Sequence, residues 1–438
     1  MRSINFNQNR HIFFLLIANI FWGFIPVIVS DLFKTISIIT IIFLRFFTCG
    51  IFFLGLAVGL IFYNNKYTSN SRIPLNIFKE FFKERNNQFL NLRRVSYFAI
   101  LGFFGIIMQI IFYFLALKLT SIGFVMIGFI LFNIIMAVYQ HGRTEELDIF
   151  KILYITMLLF SIGIIIFVKL FEAKSFSFNG LVFMIIFTIC ITFFHIYINK
   201  DSYSHYELKI ITKNKIYKVV RLLLKLSSMF LIGIGFMFIF IIISILLPLE
   251  PILTNEITKF FNEFLNISIY FRWEVLFINI FSTIIPYLLI FFAYTNWNPY
   301  NLTYNQWSSI LSIIEPITAI FFGVLLIREF FPLSFLIITL FILILSILLR
   351  YVHENNIKVN ALLLLSTKLG VIKELPLKLL KFSGVNSVEI LIGTHKMLVS
   401  VKKSSIKDLY CLNEELRKFK EIKKIKILFI NKINKLSN

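Results

Sequence analysis

Apolar residues fall into long blocks along this chain, each near the twenty or so residues needed to cross roughly 30 Å of hydrocarbon. Ten blocks are predicted to be spanning helices, at 12–32, 36–62, 95–117, 120–140, 149–170, 178–198, 226–247, 273–294, 304–327 and 333–351. No charged residue lies between Val275 and Ile314, but Asn298-Pro299-Tyr300-Asn301 breaks that stretch into two spans. The first block begins at Ile12 and has no small-residue cleavage site leading into a soluble domain, so it reads as a span and not a signal peptide. After Arg350 the apolar runs shorten to strand length. Val359–Ser366, Val385–Ile392, Lys396–Lys402 and Lys423–Ile430 read as strands, with helices at Val371–Phe382 and Ser404–Phe419. Ser404 or Ser405 serves as the N-cap of the second helix. The order βαββαβ predicts a ferredoxin-like sandwich.

Composition agrees with lipid as the solvent. Of 438 residues 58% are hydrophobic and only 15% charged, with 55 phenylalanines, against about 25% charged in soluble chains. Cys49, Cys190 and Cys411 lie far apart, so neither a disulfide framework nor a zinc site is expected.

The net charge of +22 is unevenly placed. Lys66, Arg72, Lys79, Lys83, Arg85, Arg93 and Arg94 face Glu80 and Glu84 between spans 2 and 3. Lys200, Lys209, Lys213, Lys215, Lys218, Arg221 and Lys225 face Asp201 and Glu207 between spans 6 and 7. Between spans 7 and 8, Glu250, Glu256, Glu263 and Glu274 outnumber Lys259 and Arg272. Basic loops stay in the cytoplasm, so both termini are expected there, in a multi-pass protein of the cell membrane. The stretch Ile257–Tyr270, with Phe260, Phe261 and Phe264 at helical spacing, reads as an amphipathic helix on the outer membrane surface or as a simple loop.

Two segments match at a constant offset of 183: Thr120 with Thr303, Asn133 with Pro316, Glu146 with Glu329. The glutamates end spans 4 and 9. Five spans, an odd number, separate them, so the halves are expected to be inverted, as in many secondary transporters. The predicted domains are 1–170 and 171–352, each a five-helix repeat, and 353–438, a cytoplasmic domain.

The residues Asn19-Ile-Phe-Trp-Gly23, Phe43-Leu-Arg45-Phe46, Tyr113 through Ser121, Ile314-Glu-Pro316 and Arg328-Glu329 make residues 10–352 similar to the EamA type of the drug/metabolite transporter superfamily. Asn133 stands where such proteins usually carry proline. The resemblance implies a central cavity between spans 1, 3, 4, 6, 8 and 9. Asn19, Trp22, Gln109, Tyr113, Asn133, His195, Tyr287, Tyr294, Gln306 and Trp307 fall on those spans. Tyr294 and Trp297 also suit a membrane interface. Glu315, in the middle of span 9 and followed by Pro316, reads as an ammonium partner, a proton-coupling carboxylate or a structural hydrogen-bonding group. Arg45 reads as structural, as do Glu146 and Glu329, each set to meet the positive end of the following helix.

The tail is similar to the effector-binding domain of leucine-responsive/asparagine-type regulators. The residues carrying this are Ala361-Leu-Leu-Leu-Leu365, Gly384-Val385, Gly393-Thr-His-Lys-Met-Leu-Val399 and Ile425 to Ile430. That resemblance implies a homodimer and an amino-acid effector near Gly393 and His395. From His353 onward 17 Lys and Arg face 7 Asp and Glu. Such a surface suits nucleic acid or anionic lipid, and the neighbouring bilayer favours lipid; no nucleic-acid partner is expected. No nucleotide loop, metal cluster or nucleophile triad occurs, so neither an enzyme nor a cofactor is expected. The function expected is secondary transport of small metabolites, amino acids among them; the alternative is a membrane-anchored sensor that moves nothing.

Overall fold

The computed structural model describes residues 6–67, 72–74, 77, 81–82, 92–144, 149–170, 177–198, 207, 210, 214, 216–246, 251–295, 302, 304–356, 359–367, 374–382, 384–391, 397–403, 406–417, 419 and 421–429. Ten helices among them are long and apolar enough to cross a membrane: Arg10–Leu32, Ile38–Tyr67, Val95–Leu119, Ile122–Tyr139, Ile149–Leu170, Phe178–Tyr197, Ile216–Leu246, Trp273–Tyr294, Gln306–Leu326 and Leu333–Asn355. They are numbered spans 1 to 10. Span 7 differs most from its expected bounds, starting at Ile216 where hydropathy places the start at 226.

Side-chain pairing explains that early start. Arg221 Nε donates to Glu207 at 2.8 Å, and the Tyr217 hydroxyl donates to the same carboxylate at 3.2 Å. Lys225 Nζ donates to the carbonyl of Ile198 at 2.7 Å, at the end of span 6. Arg221 and Lys225, read from sequence as loop charge, are therefore buried and satisfied within the helix. A hydropathy window registers a cation but not its partner.

By contacts the chain separates into two compact units, residues 1–133, 160–296 and 311–340 in one, and 134–159, 297–310 and 341–438 in the other. In the first unit spans 2 and 7, the two longest, pack against each other. Span 1 packs on spans 8 and 9, and span 3 on spans 6 and 7. The crossing of spans 3 and 7 is backbone to backbone: a Cβ on Gly102 would lie 2.3 Å from the carbonyl oxygen of Met229. Small residues at such crossings let van der Waals contact replace the hydrophobic force that lipid removes.

Three spans lose their regular helix beside a proline. Proline has no N–H, so the carbonyl four residues earlier has no helical donor. Span 1 turns at Phe24, before Pro26. Span 8 opens into a π turn at Ile280–Ile284, before Pro286. Span 9 is interrupted at Ser312–Ile313, before Pro316. Span 3 carries a π turn at Phe103–Met108 without a proline.

The amphipathic stretch is a helix, α1 (Pro251–Glu263), that begins earlier than Ile257 and ends before Phe264, with a separate turn at Ile267–Tyr270. Its buried residues are Leu253, Glu256, Ile257 and Phe260. Glu256 accepts the Ile38 amide at 2.6 Å and also pairs with Lys118. Glu263 accepts the Ser37 amide at 2.9 Å and the Thr40 hydroxyl at 2.6 Å. Two carboxylates thus occupy the positive N-terminus of span 2.

The second unit carries a four-stranded antiparallel sheet of β1 (Val359–Thr367), β2 (Val385–Ile390), β3 (Met397–Lys403) and β4 (Ile422–Phe429), in the order β2-β3-β1-β4. Two helices, α2 (Leu375–Leu379) and α3 (Ile406–Arg417), complete the βαββαβ order. Ser404 and Ser405, the expected cap, lie outside the described residues, as do residues 371–373 of the expected helix. Pairing places Leu363 opposite Val399 and Ile427. Ala361, Leu363, Leu365, Met397, Val399 and Val401 form one core with Leu375, Leu379, Leu409, Leu412 and Leu416 of the helices. By strand alternation Leu362, Leu364, Leu398 and Leu428 lie on the opposite face.

Gly102→Ala tests the span 3 and 7 crossing. In an open helix the change gains up to about 1 kcal/mol. Here overpacking costs about 1–3 kcal/mol, so the melting temperature of the full chain in detergent falls. Gly235→Ala, whose added Cβ meets nothing within 4 Å, leaves it unchanged or raises it.

Candidate functional site

The opened turn of span 8 organises the polar groups around it. The Ser282 carbonyl, whose α-helical donor Pro286 removes, accepts from Trp22 Nε1 and from Arg45 Nη2, each at 3.1 Å. Arg45 Nε donates to the Thr283 hydroxyl at 2.6 Å. The Ser282 hydroxyl is bonded back to the Ile278 carbonyl. A tryptophan from span 1 and an arginine from span 2 thereby supply the donors that the helix lacks. Arg45 is buried, at 3% exposure, and its remaining nitrogen, Nη1, is buried with no hydrogen-bond partner among the described residues.

Four further side chains lie within electrostatic reach of Arg45: Tyr113 of span 3, Tyr287 of span 8, Glu315 of span 9 and the Cys49 thiol one turn along span 2. The Tyr113 hydroxyl is buried and also has no partner. Its ring packs on Phe129 and Phe187, at 5.6 and 5.1 Å between centroids. Tyr287 meets Trp22 edge-on at 5.7 Å and Phe230 at 5.3 Å. Glu315 is half-buried in the first turn of the helix that resumes after the span 9 break. Gly23 of span 1 lies so close that an added Cβ would be 2.9 Å from the Glu315 carbonyl and 2.5 Å from Thr318. Phe24 stacks on Phe322 at 4.0 Å on the same interface. A guanidinium and a carboxylate thus share one apolar neighbourhood without an ion pair at 4 Å, beside two tyrosine hydroxyls.

The other predicted residues divide. Trp22, Tyr113, Tyr287 and Glu315 come together in this cluster. Asn19 is buried and bonds locally to the Leu15 carbonyl at 2.8 Å. Gln109 is half-buried immediately after the π turn of span 3. Asn133 accepts from the Ser312 hydroxyl at 2.6 Å, tying span 4 to the break in span 9, and donates to the Phe129 carbonyl at 2.9 Å. His195 packs against Phe132 at 4.7 Å. Gln306 and Trp307 belong to the second compact unit, where Gln306 donates to Glu354 at 3.0 Å and Trp307 packs on Tyr351 at 5.5 Å. Tyr294 is half-exposed. Gly393, His395, Glu146, Trp297 and the Asn298–Asn301 break lie outside the described residues.

Arg45, read from sequence as structural, makes bonds of that kind, to the Ser282 carbonyl and the Thr283 hydroxyl; Thr283 is not singled out by the sequence. The available signal was the four-residue spacing from Ser282 to Pro286, which announces a carbonyl in need of an outside donor. Glu329 departs from its expected role. It accepts the Gly123 amide at 3.0 Å, at the start of span 4 and not of span 10. Among the described residues no group of three or more His, Cys, Asp or Glu could hold a metal ion.

No protein-family model matches the chain, and no curated protein matches it. A solved chain described as "Crystal structure of protein" aligns with 79% of this chain and 98% of its own length, at 13% identity and a TM-score of 0.42. A likeness that weak carries no argument here.

Two substitutions separate the unsatisfied groups from the satisfied ones. Thr283→Val removes an acceptor from a buried guanidinium and lowers stability by about 1–3 kcal/mol. Tyr113→Phe removes a hydroxyl with no hydrogen-bond partner among the described residues, and leaves the melting temperature unchanged or slightly raised. Thermal melts of the two variants in the same detergent check both.

Proposed function

We propose that this chain is a secondary transporter of small metabolites, working by alternating access between two inverted five-span repeats. The observation that carries the reading is the cluster of Arg45, Tyr113, Tyr287 and Glu315. It draws on spans of both halves, and two of its members, Tyr287 and Glu315, adjoin prolines at which spans 8 and 9 lose their regular helix. Irregular backbone at membrane depth is tolerated where it is buried in protein or lines a water-filled cavity, and transporter sites use such broken helices.

The packing supports the inversion. Replacing each span n by its counterpart five away turns the span 1–8 contact into 6–3, and 1–9 into 6–4. The same exchange turns 3–7 into 8–2 and leaves 2–7 unchanged. All these pairs touch. The third span of each half also opens into a π turn near its start, at Phe103 in a span beginning at Val95 and at Ile280 in one beginning at Trp273. Gly50 and Gly233, again 183 apart, both sit at close helix approaches. These features favour the drug/metabolite transporter type, with both termini in the cytoplasm of a cell-membrane protein.

The substrate class follows from the cluster. An anionic group suits Arg45 Nη1 and the Tyr113 hydroxyl, and a cationic group suits Glu315, with Trp22 and Tyr287 flanking. An amino acid carries both charges. The C-terminal domain is read as a ferredoxin-like module that dimerises and binds an amino-acid effector. Its sheet order and the leucines on its open face support this reading.

Reconstituted vesicles loaded with buffer test the proposal. Uptake of at least one labelled amino acid is expected above empty vesicles, and Glu315→Gln reduces it about tenfold or more, the cost of losing a charged partner inside the membrane. Uptake in the variant equal to wild type removes Glu315 from the site.

A further inference from the structure

Glu329 holds an arrangement that a simple turn does not require. It lies between spans 9 and 10, beyond the last helical residue, Leu326. Arg328, just before it, has φ of 58°, the left-handed region that a non-glycine residue adopts at some cost. That backbone folds the chain back, so that the Glu329 amide donates to the Gly323 carbonyl at 3.2 Å. The carboxylate is thereby aimed at the first half of the chain. Oε1 accepts the Gly123 amide at 3.0 Å and pairs with Lys169 Nζ at 2.6 Å, at the end of span 5. Lys169 also donates to the Phe330 carbonyl at 3.0 Å and lies over the Phe331 ring. The two charged side chains are 2% and 8% exposed.

Glycine makes room on both sides. A Cβ on Gly123 would be 3.3 Å from Oε1, and one on Gly323 would be 3.1 Å from Oε2. One carboxylate therefore joins spans 4 and 5 to the turn between spans 9 and 10. Here a turn with a left-handed residue, the Gly123 amide at the start of span 4 and a buried cation converge on one carboxylate from the other half of the sequence.

We propose that Glu329 is a latch: its bonds to Gly123 and Lys169 hold this end of the bundle shut, and they part when the end opens. The inference rests on the alternating-access reading above. It goes further by naming the contacts that distinguish one state from the other. A ligand or mutation shifts such an equilibrium only through a difference in free energy between the states, and these contacts exist in one state alone.

Cys49 provides a reporter already in place. It is buried one helical turn from Arg45, on span 2. With Cys190→Ser and Cys411→Ser, the full chain in vesicles is treated with a membrane-impermeant thiol reagent from the face at which span 9 ends. Glu329→Gln and Lys169→Met are each expected to raise the labelling rate of Cys49 about tenfold. The exchange of Lys169→Glu with Glu329→Lys brings it back toward the parent rate. Unchanged labelling in either folded single variant, judged by its melting curve, overturns the latch. If Glu329→Gln does not fold, Lys169→Met decides alone, since it leaves the carboxylate its Gly123 donor. Transport is read separately: faster labelling in a parent chain that carries no solute supports the latch and sinks the transport reading.

Discussion

Hydrocarbon offers no hydrogen bonds, so every backbone group of a buried helix must find its partner inside the protein. In this chain that constraint acts through Pro26, Pro286 and Pro316. Each removes an α-helical donor within a span, and span 1 packs on both spans 8 and 9. A side chain can supply the missing donor. At Ser282 the answer is Trp22 and Arg45 together. A buried arginine, costly in lipid by itself, is thereby held by the same bonds that repair the helix.

The polar cluster follows from that repair. Once Arg45 Nε and Nη2 are anchored on the turn, Nη1 remains, and Tyr113, Tyr287 and Glu315 lie within electrostatic reach of the guanidinium. The ends of the bundle obey the same rule with charges. Glu256 and Glu263 take the amides at the start of span 2, and Glu329 takes the amide of Gly123. Carboxylates at helix N-termini and lysines close to them recur at these junctions, because bare helix ends and unpaired charges are both costly.

Much of the fold was legible in advance. Spans are set by length and hydropathy, two local quantities, and nine of the ten begin and end near their expected bounds. Span 7 escaped because its first turns carry Lys218, Arg221 and Lys225, and the partners of the last two, Glu207 and the Ile198 carbonyl, lie 14 and 27 residues back in the sequence. The strands were legible through alternation, as in β3, where Met397, Val399 and Val401 face the core. The site was half legible. Glu315 and Tyr113 announce themselves as polar residues in apolar runs, and Arg45 reads as structural, in keeping with its bonds to Ser282 and Thr283; which turn it would hold is a long-range matter that local sequence does not carry. Glu329 was read as serving the next helix, since sequence proximity cannot reveal that its turn folds back onto span 4.

The central claim is that two five-span halves lie upside-down to each other across the membrane, so that the connections between spans 2 and 3 and between spans 6 and 7 share one face. Single cysteines at Lys79→Cys, Lys209→Cys and Lys259→Cys in a cysteine-free chain test it, using an impermeant maleimide on sealed vesicles of known orientation. The account predicts that 79 and 209 label from the same side and 259 from the other. Labelling of 79 and 209 from opposite sides contradicts it.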